Sequence, residues 1–254
     1  MDLVDTHCHL DVTDFDADRD RIIARCRALG IARIVVPAVA AAGWDGLLAL
    51  CRRAEGLYPA LGLHPLYAGQ HLDEHLADLE AWLTKERPVA IGEIGLDYHE
   101  EALDRQRQQF LFEAQLAIAR AAGLPVILHV RKAHDPALIA LRRVRVRGGI
   151  VHAFNGSLEQ ARHYIGLGFK LGFGGMLTYE RSSKLRRLAR ELPLESIVLE
   201  TDAPDMTPAA HRGERNSPEY LVDCLATLAD VCDEAPEFLA AQTTRNAREV
   251  LALA

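Results

Sequence analysis

A chain of 254 residues that is 49% apolar and 26% charged has an ordinary globular composition and the length of one barrel domain with a full core, which excludes a disordered chain or a small disulfide scaffold. Its net charge of −7 argues against holding nucleic acid by a broad basic surface, while leaving room for a local basic patch. Five cysteines with no Cys-x-x-Cys speak against disulfides and a thiolate zinc site, and with no signal-like start and no apolar run of membrane-spanning length the cytoplasm is the expected location.

Leu3-Val4-Asp5-Thr6 predicts a first strand leading into His7-Cys8-His9, because a short apolar run between turn signals has the pattern of a buried parallel strand. Phe15, Ile22, Ile23, Cys26 and Leu29 recur at helical spacing, and Gly30 closes that helix. Ile34-Val35-Val36 is a second strand, with a helix after it through Leu47, Leu48 and Cys51; Tyr58 to Leu63 is a third, followed by a helix from Leu72 to Leu83. Pro88-Val89-Ala90-Ile91-Gly92 leads into Glu93 as the fourth strand, and Pro125-Val126-Ile127-Leu128 into His129 as the fifth. Between them lies a helix carrying Phe110, Ala114, Ala117 and Ala121. Asp135-Pro136 predicts an N-cap with proline in the first helical position. Gly149-Ile150-Val151 leads into His152, Lys170 to Phe173 forms a seventh strand, and Ile197-Val198-Leu199 leads into Glu200-Thr201-Asp202. Two helices from about Pro218 to Leu253 finish the chain.

Strands alternating with helices, without a linker or composition break, predict one domain over 1–254: an α/β chain closed into a (β/α)8 TIM barrel. An open doubly wound sheet is the rival, but its first strand should enter a glycine-rich phosphate loop, and this one enters His-Cys-His. A barrel also brings all strand ends to one mouth. Residues two apart on a strand share a face, so His7 and His9 point together while Cys8 turns away as a small buried side chain, and Glu200 and Asp202 pair likewise.

His7, His9, Glu93, His129, His152 and Asp202 are six candidate metal ligands. Imidazole nitrogen with carboxylate oxygen suits zinc, manganese, iron or nickel. One catalytic zinc needs about three protein ligands, so six suggest two ions with Glu93 bridging. Paired ions activate a water and clamp an oxyanion in ester and amide hydrolysis, and Asp202 is the expected proton acceptor beside them. Glu200 is expected to orient an imidazole from behind, with a metal ligand or an inward barrel residue as the alternatives. His64 should line the mouth, where it either meets substrate phosphate or holds a structural turn. His134 sits near a helix start, while His71, His75, His99, His163 and His211 are expected to be exposed. Arg142, Arg143, Arg145 and Arg147 precede a strand and so belong to the bottom face, at a helix C-terminus. Arg131 and Lys132, with Arg181, Lys184, Arg212 and Arg215, follow strands and belong to the active face; Arg131 and Lys132 are the candidate substrate contacts.

These residues resemble the TatD family of metal-dependent hydrolases, within the amidohydrolase-like barrels. The similarity runs through Asp5-Thr6-His7-Cys8-His9-Leu10, Gly62-Leu63-His64-Pro65, Gly92-Glu93-Ile94-Gly95-Leu96-Asp97, Pro125 to His129, Val151-His152-Ala153-Phe154 and Glu200-Thr201-Asp202-Ala203-Pro204. The segment Thr201 to Met206 is most similar to the YjjV-type branch. The resemblance implies a divalent-metal centre (zinc, manganese or magnesium) and hydrolysis of phosphodiesters, commonly by 3′→5′ trimming of DNA. It carries the metal-ligand role onto His7, His9, Glu93, His129, His152 and Asp202, and a place at the substrate mouth onto His64. Two positions depart from the family pattern: Leu66, where many relatives have a second histidine, and Asn155 in Phe154-Asn155-Gly156, where many have serine. Both alter the substrate rim and spare the metal ligands. The expected activity is therefore a deoxyribonuclease acting on DNA or another phosphoester. The alternatives are a small phosphoester, an amide or an aminoacyl-tRNA ester at the same centre, or a non-enzymatic metal- or nucleic-acid-binding protein. No membrane partner is expected, and the residues leave the oligomeric state open, a monomer included.

Overall fold

In a computed structural model, which describes residues 1–253, eight parallel strands pair in chain order. They are β1 (Leu3–Asp5), β2 (Ile31–Pro37), β3 (Leu57–Leu61), β4 (Ala90–Asp97), β5 (Val126–Arg131), β6 (Gly149–Val151), β7 (Phe169–Phe173) and β8 (Ile197–Leu199). The helices α1 (Arg19–Ala28), α2 (Trp44–Arg53), α3 (Glu74–Lys85), α4 (Arg105–Ala122), α5 (His134–Val144), α6 (Leu158–Gly166) and α7 (Ser183–Glu191) alternate with them. α8 (Leu221–Cys232) and α9 (Pro236–Leu251) follow β8. This is the predicted (β/α)8 barrel.

Two apolar layers hold it. Inside, Val4, Val35, Ala60, Ala90, Ile127, Ile150 and Val198 form one buried cluster with Ala247, Leu251 and Leu253, so the last turns of α9 and Leu253 plug the bottom of the barrel. Alternate residues such as Leu3, Ile34, Leu128, Val151, Leu171 and Ile197 face the helices in a second cluster. Each buried valine, leucine or isoleucine stabilises the fold by about 1.5–3 kcal/mol relative to an exposed one.

The ring closes above the ends of β1 and β8. Thr6 N–H donates to the Leu199 carbonyl at 3.0 Å, Asp202 N–H to that of His7 at 2.8 Å and His9 N–H to that of Ala203 at 2.9 Å. The buried Asp5 carboxylate accepts from His7 N at 3.1 Å and from Thr201 N at 3.0 Å and Oγ1 at 2.5 Å.

The two-residue period carries the inner face upward into polar residues: His129 stands two beyond Ile127, His152 two beyond Ile150, and Glu200 two beyond Val198. In β4 the register shifts between Ile91 and Ile94. That bulge inserts one residue, so Glu93 turns inward three positions after Ala90. Gly92 occupies the shift because a Cβ there would lie 2.7 Å from that of Ile127.

Several expectations are corrected. Glu93 and His129 do not end their strands, which run on to Asp97 and Arg131. The third helix starts at Glu74, two residues late, and α5 begins at His134 without a side-chain cap. Asp135, in its first turn, accepts from Gln160 Nε2 at 2.7 Å. Among the described residues no helix is long and apolar enough to cross a membrane.

Candidate metal centre

His7 and His9 lie just beyond β1 and enter the mouth with their Nε2 atoms 3.3 Å apart. His9 Nδ1 is 3.1 Å from the Pro37 carbonyl, which can only accept, so Nε2 keeps its lone pair toward the centre. Burial, reinforced by the neighbouring His152, holds His7 well below the usual histidine range and therefore neutral. Two such nitrogens at this distance are favourable only with a cation or proton between them. Cys8 is buried on the other side, its Sγ 3.8 Å from the Ala203 carbonyl.

Glu93 stands between two sets of imidazoles. Its Oε2 is 3.0 Å from His7 Nε2 and 3.5 Å from His9 Nε2. Its Oε1 is 3.0 Å from His129 Nδ1, 3.3 Å from His64 Nε2 and 3.8 Å from His152 Nε2. Burial disfavours its charge, yet the surrounding histidines, His64 and His7 foremost, hold the carboxyl well below the usual range. Glu93 Oε2 is buried with no hydrogen-bond partner among the described residues, the condition expected of an oxygen shaped for a cation.

Asp202 divides in the same way: Oδ1 is 3.7 Å from His7 Nε2 and 3.8 Å from His9 Nε2, and Oδ2 is 3.7 Å from His152 Nε2. Its backbone is left-handed, with φ of 58°, a strained conformation for a residue with a Cβ and one that clusters at functional sites. Burial pushes its carboxyl up to about 6 against the pull of His152 and His9.

The outer carboxylates fix the rings. Glu200 Oε1 lies 3.1 Å from His152 Nδ1 and accepts from Ala153 N at 2.6 Å. A Cβ on Gly172 would fall 2.1 Å from Glu200 Oε2, so only glycine at that point of β7 leaves space for the carboxylate. Burial lowers the His152 pKa, but Asp202, Glu200 and Glu93 together raise it to about 10, a sign of carboxylate charge in excess of local cation. Asp97 Oδ2 sits 2.8 Å from His129 Nε2, leaving Nδ1 to face Glu93. Sequence reasoning assigned Asp97 no role. Glu93, Gly95 and Asp97 alternate on one strand face, and that period was the available signal.

His64 differs from the others. Its Nδ1 accepts from Leu66 N at 3.1 Å, so the hydrogen of the neutral ring sits on Nε2, and burial lowers its pKa to about 4. It is a donor aimed into the mouth and, in this tautomer, no ligand, although its Nε2 lies close to Glu93 and His129. His71 is buried, not exposed, with Nε2 3.0 Å from the His64 carbonyl, and so braces that turn.

Two clefts meet over this cluster and share His129, His152 and Asp202. One, of about 370 Å³, is bounded by Asp14, His64, Leu66, Tyr67 and Asp205. The other, of about 480 Å³, is bounded by Val130, Arg131, Asn155, Met176, Leu185 and Met206. Arg131 and Lys132 are exposed on this face. Lys184 donates to the Asn155 carbonyl, Arg181 stacks over Tyr179, and Arg215 is taken up by Asp18 at 2.9 Å. Arg142 and Arg143 occupy the last turn of α5 at the opposite end, where Arg143 pairs with Glu113, and Arg145 caps the helix. A further cleft, of about 440 Å³ beside Arg147, Lys170 and Glu249, lies on that bottom face, away from the imidazoles.

The family profile described as TatD related DNase matches residues 4–252. The metal-dependent hydrolase YjjV of Escherichia coli K12 is 41% identical over 247 residues, covering 96% of this chain and 95% of that one. Its crystal structure superposes with a TM-score of 0.96 at 39% identity, covering 99% of this chain and 98% of the other. The 3′-5′ ssDNA/RNA exonuclease TatD of Cronobacter sakazakii is 34% identical over 252 residues, with 96% of each chain covered.

Proposed function

Because the chain belongs to the TatD family of metal-dependent hydrolases, we propose that it cleaves DNA phosphodiester bonds from the 3′ end of a single strand, at a centre of two divalent ions bridged by Glu93. One observation carries this reading: both inner carboxylates split their oxygens between the same two sets of nitrogens. Glu93 Oε2 and Asp202 Oδ1 face His7 and His9, while Glu93 Oε1 and Asp202 Oδ2 face His152, with His129 beside Glu93 Oε1. Nitrogen and oxygen donors in that mixture suit zinc or manganese, and magnesium less well. The relative named as a 3′-5′ ssDNA/RNA exonuclease supports a nucleic-acid phosphodiester over other esters.

Bound there, divalent ions would lower the pKa of water and polarise a phosphoryl oxygen. The chain supplies the rest. Asp202 accepts the proton of the attacking water. His64 donates its Nε2 hydrogen to a non-bridging phosphate oxygen, and Arg131 and Lys132 meet flanking phosphates. Glu200 and Asp97 hold the rings of His152 and His129 in one tautomer and orientation.

The test is elemental analysis of gently purified protein, then assays of the chelated protein with each ion restored. End-labelled single strands should shorten stepwise from the 3′ end. Hydrolysis of a small phosphoester, an amide or an aminoacyl-tRNA ester, with no cleavage of any oligonucleotide, would move the substrate elsewhere while keeping the centre.

A further inference from the structure

The cleft on the His129 side differs chemically from its neighbour. Val130, Met176, Leu185 and Met206 give it apolar walls, whereas the other cleft has Asp14, His64 and Asp205 in its lining. Its volume of about 480 Å³ is that of a small-molecule site. It shares His129, His152 and Asp202 with the centre, so whatever it seats lies next to the bond being cut. Thioether and branched aliphatic side chains pack well against flat aromatic rings.

At its lip stands Asn155. Its Oδ1 lies 3.2 Å from His134 Nε2 and its Nδ2 donates to the Ala153 carbonyl at 3.2 Å. His134 is buried, and its Nδ1 is 3.3 Å from the Tyr164 hydroxyl, which fixes the ring that orients the amide. A carboxamide has two acceptor positions and two N–H groups, so Asn155, exposed at the lip, retains one of each. Such a donor-acceptor pair is what recognises the edge of an adenine, and enzymes that read unpaired bases combine apolar stacking with hydrogen bonds to the base edge.

We propose that this apolar cleft seats the nucleobase adjoining the scissile phosphodiester and that Asn155 reads its edge, making Asn155 a specificity-determining residue. The inference rests on the phosphodiesterase reading above and adds a base preference to it. An asparagine edge favours a base that offers a neighbouring donor and acceptor, adenine first.

The experiment uses metal-loaded protein and single-stranded oligonucleotides that differ only in the 3′-terminal residue: each of the four bases, or an abasic sugar. Bis(p-nitrophenyl) phosphate, which has no base edge, is the control. The unaltered protein should favour one base by about tenfold in kcat/KM, the discrimination expected of one paired side-chain contact. Asn155→Ala should flatten that preference while leaving hydrolysis of the control near its original rate. Met176→Gln should raise KM for base-carrying ends and leave the abasic end unchanged, a split that general loss of structure would not give. An equal rate on abasic and base-carrying ends, or an unchanged base profile in Asn155→Ala, would overturn the base site even with diesterase activity intact. No cleavage of any diester, control included, would sink the phosphodiesterase reading and this inference with it.

Discussion

Glu93 concentrates more chemistry than any other residue of the chain. It is buried and ionised, and it lies within 4 Å of nitrogens from five histidines. If Glu93 bridges two ions as proposed, removing its carboxylate takes away their shared oxygen donor. Glu93→Ala should therefore bind fewer ions by elemental analysis and lose hydrolysis, while its circular dichroism stays native, because the residue stands above the packed inner layer. Two ions and normal turnover in this variant would end the bridging role. Asp202→Asn separates ligand from base: an amide oxygen can still face the ions but accepts a proton poorly. Turnover should fall about 10²–10⁴-fold with little change in KM. A rise in KM alone would assign Asp202 to binding. The pairing of His7 with His9, and the turning away of Cys8, followed from a two-residue period visible in the sequence. Asp97 did not, because a charged Glu93 interrupts the apolar run and makes the strand look finished.

At the scale of elements, burial and hydrogen bonding part company in β4. Apolar periodicity reports which residues are covered, whereas strand length is set by the ladder. Ile94, Gly95, Leu96 and Asp97 continue to pair with Leu128, His129, Val130 and Arg131. Barrel closure was legible in the number of strands and in the candidate ligands at their ends, but not in its own contacts, since those joining β1 to β8 are made by residues beyond both strands. Asp5 is the core of that seam. Asp5→Ala leaves three buried donors, His7 N, Thr201 N and Thr201 Oγ1, without their acceptor. An unsatisfied buried group costs about 1–3 kcal/mol, so a loss of about 3 kcal/mol or more is expected in urea denaturation. An unchanged midpoint would mean that the ring closes without Asp5. Gly172 is a second element-level device. In Gly172→Ala the new methyl collides with Glu200, His152 loses its fixed orientation, and metal affinity should weaken about 10–100-fold in competition with a chelator. Unaltered affinity would show that Glu200 is dispensable for the ligand set.

Across the whole molecule, the net charge of −7 makes binding of a polyanion depend on where the cations sit. The barrel separates them by end: Arg131 and Lys132 rise at the mouth with β5, while Arg143 and Arg145 sit at the far end of α5. Chain order predicted this division, since a residue just after a strand and one just before the next strand lie at opposite ends of a β/α unit. It could not predict that Arg215 would be engaged by Asp18. Each phosphate neutralised on a single strand contributes about 0.7 to the slope of log affinity against log salt. Replacing Arg131 and Lys132 with glutamine should therefore weaken binding of single-stranded DNA and reduce that slope by about 1.4 if each meets one phosphate. The same change at Arg143 and Arg145 should leave slope and nuclease rate alone, because Arg143 is held by Glu113 on the bottom face and neither approaches the clefts. Hydrolysis of a small uncharged ester should survive both changes, since neither pair touches the inner imidazoles. The reverse pattern on DNA, with activity lost in the Arg143/Arg145 variant and kept in the Arg131/Lys132 variant, would put the nucleic acid on the wrong end of the barrel for the chemistry proposed here.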